Sequence, residues 1–391
     1  MRILHVIPQF QYFGGRTIVG GHASCLLTLA LAQHEAGEEV TILSHTKDRC
    51  GSYEIEDGPT VHSLFANATT LTIRYGLLFT REATKWIKAR RCDFDVIHFH
   101  SGYADYFLVS ARLKRVSKIA TLHTMYCPIQ GQGGRWRLPL VHGLIRRWAN
   151  QLDWRGAISQ NIASSMLEYG MSDVEQIPPP VDAFRLNDQE GSGSLRDQLG
   201  VGKEDVAILF VGNARKQKNL SGVLKALHSV REDFPNVKLV VTTELQHSSS
   251  DKDMTRISRE IEELNLGSCI IQKGIVDNMP ALMQACDILV APFLNTLGPS
   301  DYFMVALEAM AASRPVVVSN VGGMPEVVTA EVGQLVDPLE SESIASGLRI
   351  FLGDALLREQ VGKNAKCFVE KHFDPQQIVA TYDKIYRRIA A

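Results

Sequence analysis

The sequence predicts an α/β protein of two domains, each built on a parallel sheet with helices on both faces. Short apolar runs rich in Val and Ile alternate with longer amphipathic stretches, a pattern typical of parallel sheets. The chain has 391 residues, which is too long for one hydrophobic core of ordinary size. The alternation pauses once, between residues 178 and 205. We therefore predict two doubly wound domains that face each other across a deep cleft.

Apolar runs of strand length occur eleven times. Ala207–Val211 and Pro315–Val318 contain no polar residue, which predicts strands that helices cover on both faces. The predicted strands are residues 2–7, 39–44, 94–100, 117–123, 154–159, 206–212, 237–243, 269–275, 287–291, 315–319 and 333–336. Helical periodicity fills the intervals, for instance from Leu26 to Gly37.

The pause marks the domain boundary. It contains Pro178–Pro180, an acidic and polar stretch, and the segment Gly191–Ser194, all typical of loops. We place the boundary near residue 183, between an N-terminal domain of residues 1–183 and a C-terminal domain of residues 184–374. Sheets of this kind bind ligands beyond the carboxyl ends of their strands. Functional residues are therefore expected in the loops that follow the strands.

Composition excludes several classes of protein. Apolar residues make up 45% and charged residues 21% of the chain, as in an ordinary globular domain. No 18 consecutive residues are apolar, and the apolar run at the start is too short for a signal peptide. The seven cysteines are scattered, with no Cys-x-x-Cys, which predicts buried free thiols in a reducing compartment. We expect a cytoplasmic protein.

Charge is distributed unevenly along the chain. The net charge of −2 disfavours nucleic-acid binding. Between residues 68 and 155, however, 15 basic side chains stand against 5 acidic ones. This excess indicates a surface for an anionic acceptor or for peripheral contact with an anionic membrane, and a solvated face is the alternative. Arg135 and Trp136 follow the glycine-rich loop Gly131–Gly134. We assign both to acceptor binding, with a core position for Trp136 as the alternative.

Two strand-to-helix loops have the chemistry of anion sites. Gly20–Gly21 follows the first strand and precedes a helix, so backbone N–H groups there can approach an anion, although a plain turn explains the glycines equally well. The loop after the strand at 206–212 carries Arg215, Lys216 and Lys218. These cations can hold a diphosphate, or they can be a solvated turn. The chain has no Gly-x-Gly-x-x-Gly and no Walker loop, which argues against classical dinucleotide and ATP sites.

The segment from residue 298 to residue 311 holds the strongest candidate residue. We expect Ser300–Asp301 to cap a helix, so that the helix N-terminus receives a phosphate or sugar oxygen. Glu308 lies in the apolar part of that helix, where a buried carboxylate needs a partner. A ribose diol can donate both hydroxyls to it, and a salt bridge to another helix is the alternative.

A histidine pair suggests a metal site, which we do not assign. His98 and His100 share one face of a strand end, but no third ligand has suitable spacing. Neutral, hydrogen-bonded histidines are the preferred interpretation.

The ordered set of motifs resembles the retaining glycosyltransferases of family 4, a large bacterial and archaeal group with the GT-B fold. This group includes mannosyl-, glucosyl- and N-acetylglucosaminyltransferases, and the resemblance covers nearly the whole chain. The segments that carry it are Gly20–Gly21, Asp95–His100, Thr121–Thr124, Ala157–Ser159, Ile177–Asp182, Leu307–Ala311, Arg314–Val317 and Gly322–Glu326.

The resemblance implies roles for particular residues. Lys218 would bind the donor diphosphate, Glu308 the ribose, and His123 would lie beside the transferred sugar. We assign the donor to Gly21, Arg215, Lys218, Val276, Ser300, Phe303, Met304 and Glu308, and catalysis to His123, Arg215, Lys218 and Asp301. The resemblance also implies that segment 375–391 returns to the first domain.

Two positions depart from the family pattern. Ser300 stands where the family usually has Glu, and Asn213 stands where it usually has Arg. We expect Asp301 to replace the missing carboxylate and to accept hydrogen bonds from the donor sugar. Both departures concern the sugar and phosphate contacts rather than the type of reaction.

The predicted function is transfer of a sugar from a nucleoside-diphosphate sugar to an acceptor hydroxyl with retention of configuration. The acceptor is a saccharide, a lipid-linked molecule or a small molecule. The resemblance also implies a metal-independent enzyme, in which basic side chains and helix N-termini stabilise the leaving diphosphate. We therefore expect no cofactor and no metal. A sugar-nucleotide epimerase, a phosphorylase and an inactive sugar-nucleotide-binding module are the alternatives.

Overall fold

The computed structural model describes most of the chain, and the described residues form two compact units. The described residues are 1–14, 17–45, 50–55, 58–64, 73–100, 109, 112–113, 117–123, 139–186, 192–242, 251–274, 276–296 and 300–391. The first unit takes in those of Met1–Pro180, Gly298–Asp301 and Pro375–Ala391, and the second those of Val181–Leu297 and Tyr302–Asp374.

The first unit has an eight-stranded sheet and a small separate hairpin. Its strands are β1 (Arg2–Val6), β2 (Gln11–Gly14), β3 (Thr17–Val19), β4 (Glu39–Ser44), β5 (Gly51–Glu54), β6 (Thr60–Ser63), β7 (Val96–His100), β8 (Ser117–Leu122), β9 (Trp154–Ala157) and β10 (Val174–Gln176). The sheet order is β10-β9-β8-β7-β1-β4-β6-β5, and β2 pairs with β3. Within the sheet, β5 runs antiparallel to β6 at the edge, and the other pairs are parallel. The strand order reverses at β1, so a ligand crevice is expected beyond β1 and β7.

Helices cover this sheet, and the last one comes from the end of the chain. They are α1 (Gly21–Glu35), α2 (Ile73–Ala89), α3 (Pro139–Ala149), α4 (Gln160–Glu168) and α14 (Pro375–Ala390). Ile378, Tyr382 and Tyr386 of α14 share a core cluster with Ile3 of β1 and Val96 of β7. Burial of these apolar side chains attaches α14 to the sheet of the first unit.

The second unit has a six-stranded, fully parallel sheet. Its strands are β11 (Val206–Val211), β12 (Val237–Thr242), β13 (Ile270–Lys273), β14 (Ile288–Ala291), β15 (Val316–Ser319) and β16 (Gly333–Val336). Its helices are α5 (Ala183–Leu186), α6 (Ser192–Gln198), α7 (Leu220–Val230), α8 (Asp251–Glu263), α9 (Met279–Ala285), α10 (Met304–Ala311), α11 (Met324–Val327), α12 (Ser341–Leu352) and α13 (Ala355–His372). The order is β13-β12-β11-β14-β15-β16. The order reverses between β11 and β14, which is the position where such sheets bind nucleotides.

The predicted fold class, two parallel-sheet α/β domains, is confirmed, and all eleven predicted strands are present. The predicted set lacks β2, β3, β5, β6 and β10, which are three or four residues long and mostly lack a continuous apolar run. The strand predicted at 269–275 ends at Lys273, so Val276 lies in the loop beyond it. Within the described ranges, no helix is long and apolar enough to span a membrane.

The expectation that the cysteines are buried is wrong for Cys50, Cys92 and Cys367, which are exposed, whereas Cys25, Cys269 and Cys286 are buried.

Candidate active site

The second unit places an ammonium group at its switch point. Lys218 ends a one-turn 3₁₀ helix, Lys216–Lys218, in the loop that follows β11. Its Nζ lies 3.8 Å from the ring centroid of Phe293, in the loop that follows β14. Cγ and Cδ of Lys218 pack against Gly212, where each would lie 3.4 Å from a Cβ atom added to the glycine. A cation over an aromatic face is attracted by the ring quadrupole, so Phe293 helps to hold the Lys218 ammonium in place.

Asn219 fixes the position of this turn. Its backbone adopts a left-handed conformation with φ of 57°, and its side chain caps α7 by accepting the N–H of Gly222. Its Nδ2 donates to the carbonyls of Pro292 at 3.1 Å and Pro338 at 2.7 Å. One side chain therefore joins the loops that follow β11, β14 and β16. Asn219 is absent from the predicted site residues, although an Asn directly before an amphipathic helix is a typical N-cap signal.

Arg215 lies on the same turn with an exposed side chain. Its backbone N–H donates to Oδ1 of Asn213 at 3.2 Å. Asn213, which stands where the family usually has Arg, therefore shapes the turn. The second unit thus brings the predicted residues Arg215 and Lys218 together at the end of β11.

The start of α10 differs from the prediction. The helix begins at Met304, and its N-cap is Phe303 with no side-chain hydrogen bond, so Ser300–Asp301 do not cap it. Phe303 is buried 4.6 Å from the ring of Phe293, centroid to centroid, and its N–H donates to Sδ of Met324 at 3.2 Å. The side chains of Phe303 and Met304 are thus core residues of the second unit.

Glu308 is half-buried rather than buried. It lies on α10 between the buried residues Leu307 and Ala309. The expectation of a fully buried carboxylate is therefore wrong, because the face of α10 that carries Glu308 is not completely covered. A half-buried carboxylate remains accessible to a ligand.

The carboxylate of Glu326 anchors the segment that leads into α10. The Tyr302 hydroxyl donates to its Oε2 at 2.6 Å. Glu326 lies on α11, which follows Gly322 with φ of 63°. The motif Gly322–Glu326 therefore positions residues 302–303, a role that the sequence analysis did not find.

In the first unit, Asp301 joins the ends of two neighbouring strands. Its N–H donates to the carbonyl of His123, which follows β8, at 2.8 Å. Its carboxylate accepts hydrogen bonds from Oγ of Ser159 at 2.5 Å and from Nδ2 of Asn161 at 2.9 Å. Ser159, which follows β9, also caps α4. Asp301 thus binds donors of its own chain through both carboxylate oxygens.

Two predicted residues of the first unit carry buried polar atoms without a partner among the described residues. They are Nδ1 of His123 and Oγ of Ser300, on side chains that are 1% and 3% exposed. A buried polar atom without a hydrogen bond costs about 1–3 kcal/mol. Such atoms are therefore candidates for ligand contact.

A cluster of buried histidines lies at the carboxyl ends of β1, β7 and β8. Ring nitrogens of His5, His98 and His100 lie within 4.8 Å of one another, close enough to approach a metal ion. His5 is the third imidazole that the sequence analysis did not find, because only the pairing of β1 with β7 brings it there. Burial lowers the pKa of His5 to about 4 and the pKa of His98 and His100 well below the usual range. The rings are therefore neutral at physiological pH.

The N-terminus of α1 lies next to this cluster. Gly20 precedes the helix with φ of 103°, which favours glycine, and Gly21 is its first residue. The ring of His22 meets that of His123 edge-on, with centroids 5.4 Å apart. The start of α1, with the predicted residue Gly21, therefore lies beside His123.

The remaining predicted residues are placed only in part. Arg135 and Trp136 lie outside the described residues. Val276 is half-buried. Of the basic residues between 68 and 155, Arg81, Lys85 and Lys88 are exposed on α2, at spacings that put them on one helix face.

Two family models match the chain. The model described as Glycosyltransferase Family 4 matches residues 19–185, and the model described as Glycosyl transferases group 1 matches residues 192–368. The chain belongs to glycosyltransferase family 4. Each model matches most of one of the two α/β units. The enzyme class, glycosyltransferase, follows from the family.

Individual relatives agree with this family. The glycosyltransferase is 24% identical over 379 residues to the phosphatidyl-myo-inositol mannosyltransferase of Mycobacterium leprae, which covers 95% of this chain and 94% of the relative. Among solved structures, the sucrose-phosphate synthase of Thermosynechococcus elongatus aligns with a TM-score of 0.80 at 18% identity, covering 99% of both chains. Anabaena HepE in complex with UDP-glucose aligns with a TM-score of 0.76 at 19% identity, covering 99% of this chain and 100% of HepE. The fold of the glycosyltransferase is GT-B.

Proposed function

We propose that this glycosyltransferase moves a sugar from a nucleoside-diphosphate sugar to an acceptor hydroxyl with retention of anomeric configuration. The observation that carries the proposal is the ammonium of Lys218, held over Phe293 at the switch point of the second unit. A fixed cation there suits a diphosphate. The complex of HepE with UDP-glucose supports a nucleotide sugar as donor.

The diphosphate, the ribose and the base of the donor each have a candidate partner in the second unit. Lys218 and Arg215 would neutralise the diphosphate, whose negative charge grows as the bond to the sugar breaks. Glu308 would accept hydrogen bonds from both ribose hydroxyls. The loop that contains Val276 would contact the base. Lys218 and Arg215 would supply the positive charge that a divalent metal supplies in other enzymes, so we propose a metal-independent reaction.

The proposed retention follows from a front-face mechanism through an oxocarbenium-like state. Double displacement needs a second carboxylate as nucleophile. Asp301 is a poor candidate for that role, because Ser159 and Asn161 donate to both of its oxygens. Its proposed part is to hold the segment that carries Ser300. Oγ of Ser300 and Nδ1 of His123, which have no partner among the described residues, would bind hydroxyls of a sugar.

For the acceptor, we propose a molecule that is anionic or linked to an anionic phospholipid. The exposed cations Arg81, Lys85 and Lys88 support this proposal, since each cation near an anionic surface contributes about 1 kcal/mol. The relative from Mycobacterium leprae is described as acting on a phosphatidyl-inositol. Peripheral membrane contact through α2 would bring such an acceptor to the enzyme.

One assay distinguishes this function from its alternatives. The protein is incubated with a panel of nucleoside-diphosphate sugars, with and without acceptor lipids, and free nucleoside diphosphate is measured. A transferase releases the diphosphate and forms a glycoside, whose anomer is read by NMR. An epimerase converts the sugar of the donor and releases no lasting diphosphate, and a phosphorylase requires inorganic phosphate. An inactive module leaves the donor unchanged. Full activity in a chelator supports metal independence, and activity lost in chelator and restored by a divalent ion contradicts it.

A further inference from the structure

Four buried side chains of the first unit form one continuous line of hydrogen bonds. Oε1 of Gln33 lies 2.7 Å from Nε2 of His5, and Nδ1 of His5 lies 2.8 Å from Nε2 of His100. Nδ1 of His100 lies 3.3 Å from Nε2 of His123. All four side chains are at most 1% exposed. The line connects α1, β1 and β7 to His123.

We propose that the amide of Gln33, acting through His5 and His100, fixes the tautomer in which Nδ1 of His123 is a hydrogen-bond acceptor. Gln33 is thus a positioning residue for His123. The buried acceptor selects a hydroxyl of the bound sugar and disfavours a phosphate oxygen. The identity of that ligand rests on the proposed function, whereas the tautomer is a property of the protein alone.

The proton positions follow from the chemistry of a neutral imidazole, in which one ring nitrogen donates and the other accepts. Because the amide oxygen of Gln33 only accepts, Nε2 of His5 carries the proton and its Nδ1 does not. His100 must then donate through Nε2, which leaves its Nδ1 as an acceptor. His123 therefore donates through Nε2 and keeps a lone pair on Nδ1. Burial lowers the pKa of all three histidines, so each ring remains neutral.

The orientation of the Gln33 amide is set from α14. Nε2 of Gln33 donates to the hydroxyl of Tyr386 at 3.3 Å. The same hydroxyl lies 2.7 Å from Nδ1 of His98 and can donate its single proton to that nitrogen. With its hydroxyl proton used in this way, Tyr386 accepts from Gln33, and the amide oxygen faces His5.

A second branch of the network ends away from His123. Nε2 of His98 lies 2.8 Å from Oγ1 of Thr121, which lies 2.9 Å from the hydroxyl of Tyr382. Removing the Tyr382 hydroxyl breaks one bond at the far end of this branch and leaves in place every hydrogen bond from Gln33 to His123. The Tyr382→Phe variant is therefore the matched control.

The same contacts argue against a metal ion among His5, His98 and His100. Both ring nitrogens of each histidine already lie within hydrogen-bonding distance of a partner. A divalent ion would break several of these bonds. Among the described residues, the group of side chains close enough together to hold an ion consists of these three histidines and includes no carboxylate. The cluster is better suited to orienting protons than to holding a cation.

Nitrogen NMR of protein with isotopically labelled histidine measures the tautomer directly. The spectrum of the ligand-free protein at neutral pH is expected to show His123 protonated on Nε2, with the signal assigned by its loss in His123→Gln. Gln33→Met should shift His123 toward a mixture of both tautomers, and Tyr382→Phe should leave it unchanged. An Nδ1-protonated His123 in the parent protein, or the same tautomer in Gln33→Met, would overturn the proposal. So would histidine signals that move when a chelator is added, because they would indicate a bound metal.

Kinetics then tests whether Gln33 acts through His123. Gln33→Met is expected to lower kcat/KM for the donor about tenfold, the effect of one neutral hydrogen bond. In a His123→Ala background the same substitution should have no further effect, because the residue it positions is gone. An undiminished loss in that background would assign Gln33 a purely structural role. If no donor is turned over at all, the proposed function fails while the NMR result on the tautomer still stands.

Discussion

The main-chain N–H of Asp301 donates to the carbonyl oxygen of His123 at 2.8 Å. This bond attaches the segment that carries Ser300 to the carboxyl end of β8. The carboxylate of Asp301 adds a connection to Ser159 and Asn161 at the end of β9. The residue expected to replace the family's sugar-binding Glu therefore ties together three parts of the first unit.

Replacement of Asp301 should affect both stability and activity, whereas replacement of Ser300 should affect activity alone. In Asp301→Asn an amide group would face the donors of Ser159 or Asn161, and the loss of stability should be about 1–3 kcal/mol. Ser300→Ala removes a hydroxyl that has no partner among the described residues, so the free energy of unfolding should not fall. We expect Asp301→Asn to lower transfer more than Ser300→Ala, as measured by chemical denaturation and initial rates. The reverse ranking would contradict the role of Asp301, because it would show that transfer depends little on the bonds from Asp301 to Ser159 and Asn161.

Lys218→Ala should lose about a hundredfold or more in kcat while the protein stays folded. The loss corresponds to roughly 2–4 kcal/mol of transition-state stabilisation from one charged partner of the diphosphate. The control is Lys216→Ala, which removes an exposed cation from the same turn and should retain most activity. Equal losses in the two variants, or near-normal turnover in Lys218→Ala, would contradict the site assignment.

Acid should destabilise the first unit through its buried histidines. Burial lowers the pKa of His5 from 6.5 to about 4, so the unfolded chain binds more protons than the folded one between these values. The free energy of unfolding therefore has its highest value above about pH 6.5 and falls as the pH drops toward 4. At about pH 5, His5 alone lowers the free energy of unfolding by roughly 2 kcal/mol. Denaturant unfolding across this range measures the decline.

Two variants separate this effect from general acid sensitivity. His5→Gln should reduce the decline, and His34→Gln, at an exposed position of α1, should leave it unchanged. A free energy of unfolding that stays constant down to about pH 5 would be inconsistent with neutral, buried imidazoles.

Binding to anionic vesicles should depend on α2. Replacing Arg81, Lys85 and Lys88 with Ser should weaken the free energy of binding to anionic vesicles, measured by co-sedimentation, by up to about 3 kcal/mol. The matched control replaces Lys203, Lys225 and Lys252, three exposed lysines of the second unit. Binding should fall with added salt and should be weak with neutral vesicles. Equal, salt-independent recovery in the supernatant for both vesicle types would refute membrane docking and leave soluble acceptors.

The sequence by itself determined the two parallel sheets and the loops in which the candidate residues of the second unit lie. Runs such as Ala207–Val211 form strands because their apolar character is local and continuous. Lys218 and Arg215 could be placed at the end of β11 because the residues after a parallel strand lie at the ligand-binding edge of the sheet. Short, polar strands such as β5 and β10 could not be predicted, since their stability comes from neighbouring strands rather than from their own pattern.

Only the tertiary structure decided which side chains become partners. Asp301 meets Ser159 across 142 residues of sequence, and His98 meets Tyr386 across 288. Such pairs depend on the strand order β8-β7-β1 and on the return of α14, neither of which leaves a periodic signal in the chain. A hydrogen bond forms where folding brings a donor and an acceptor within about 3 Å, and that coincidence belongs to the fold rather than to any local segment.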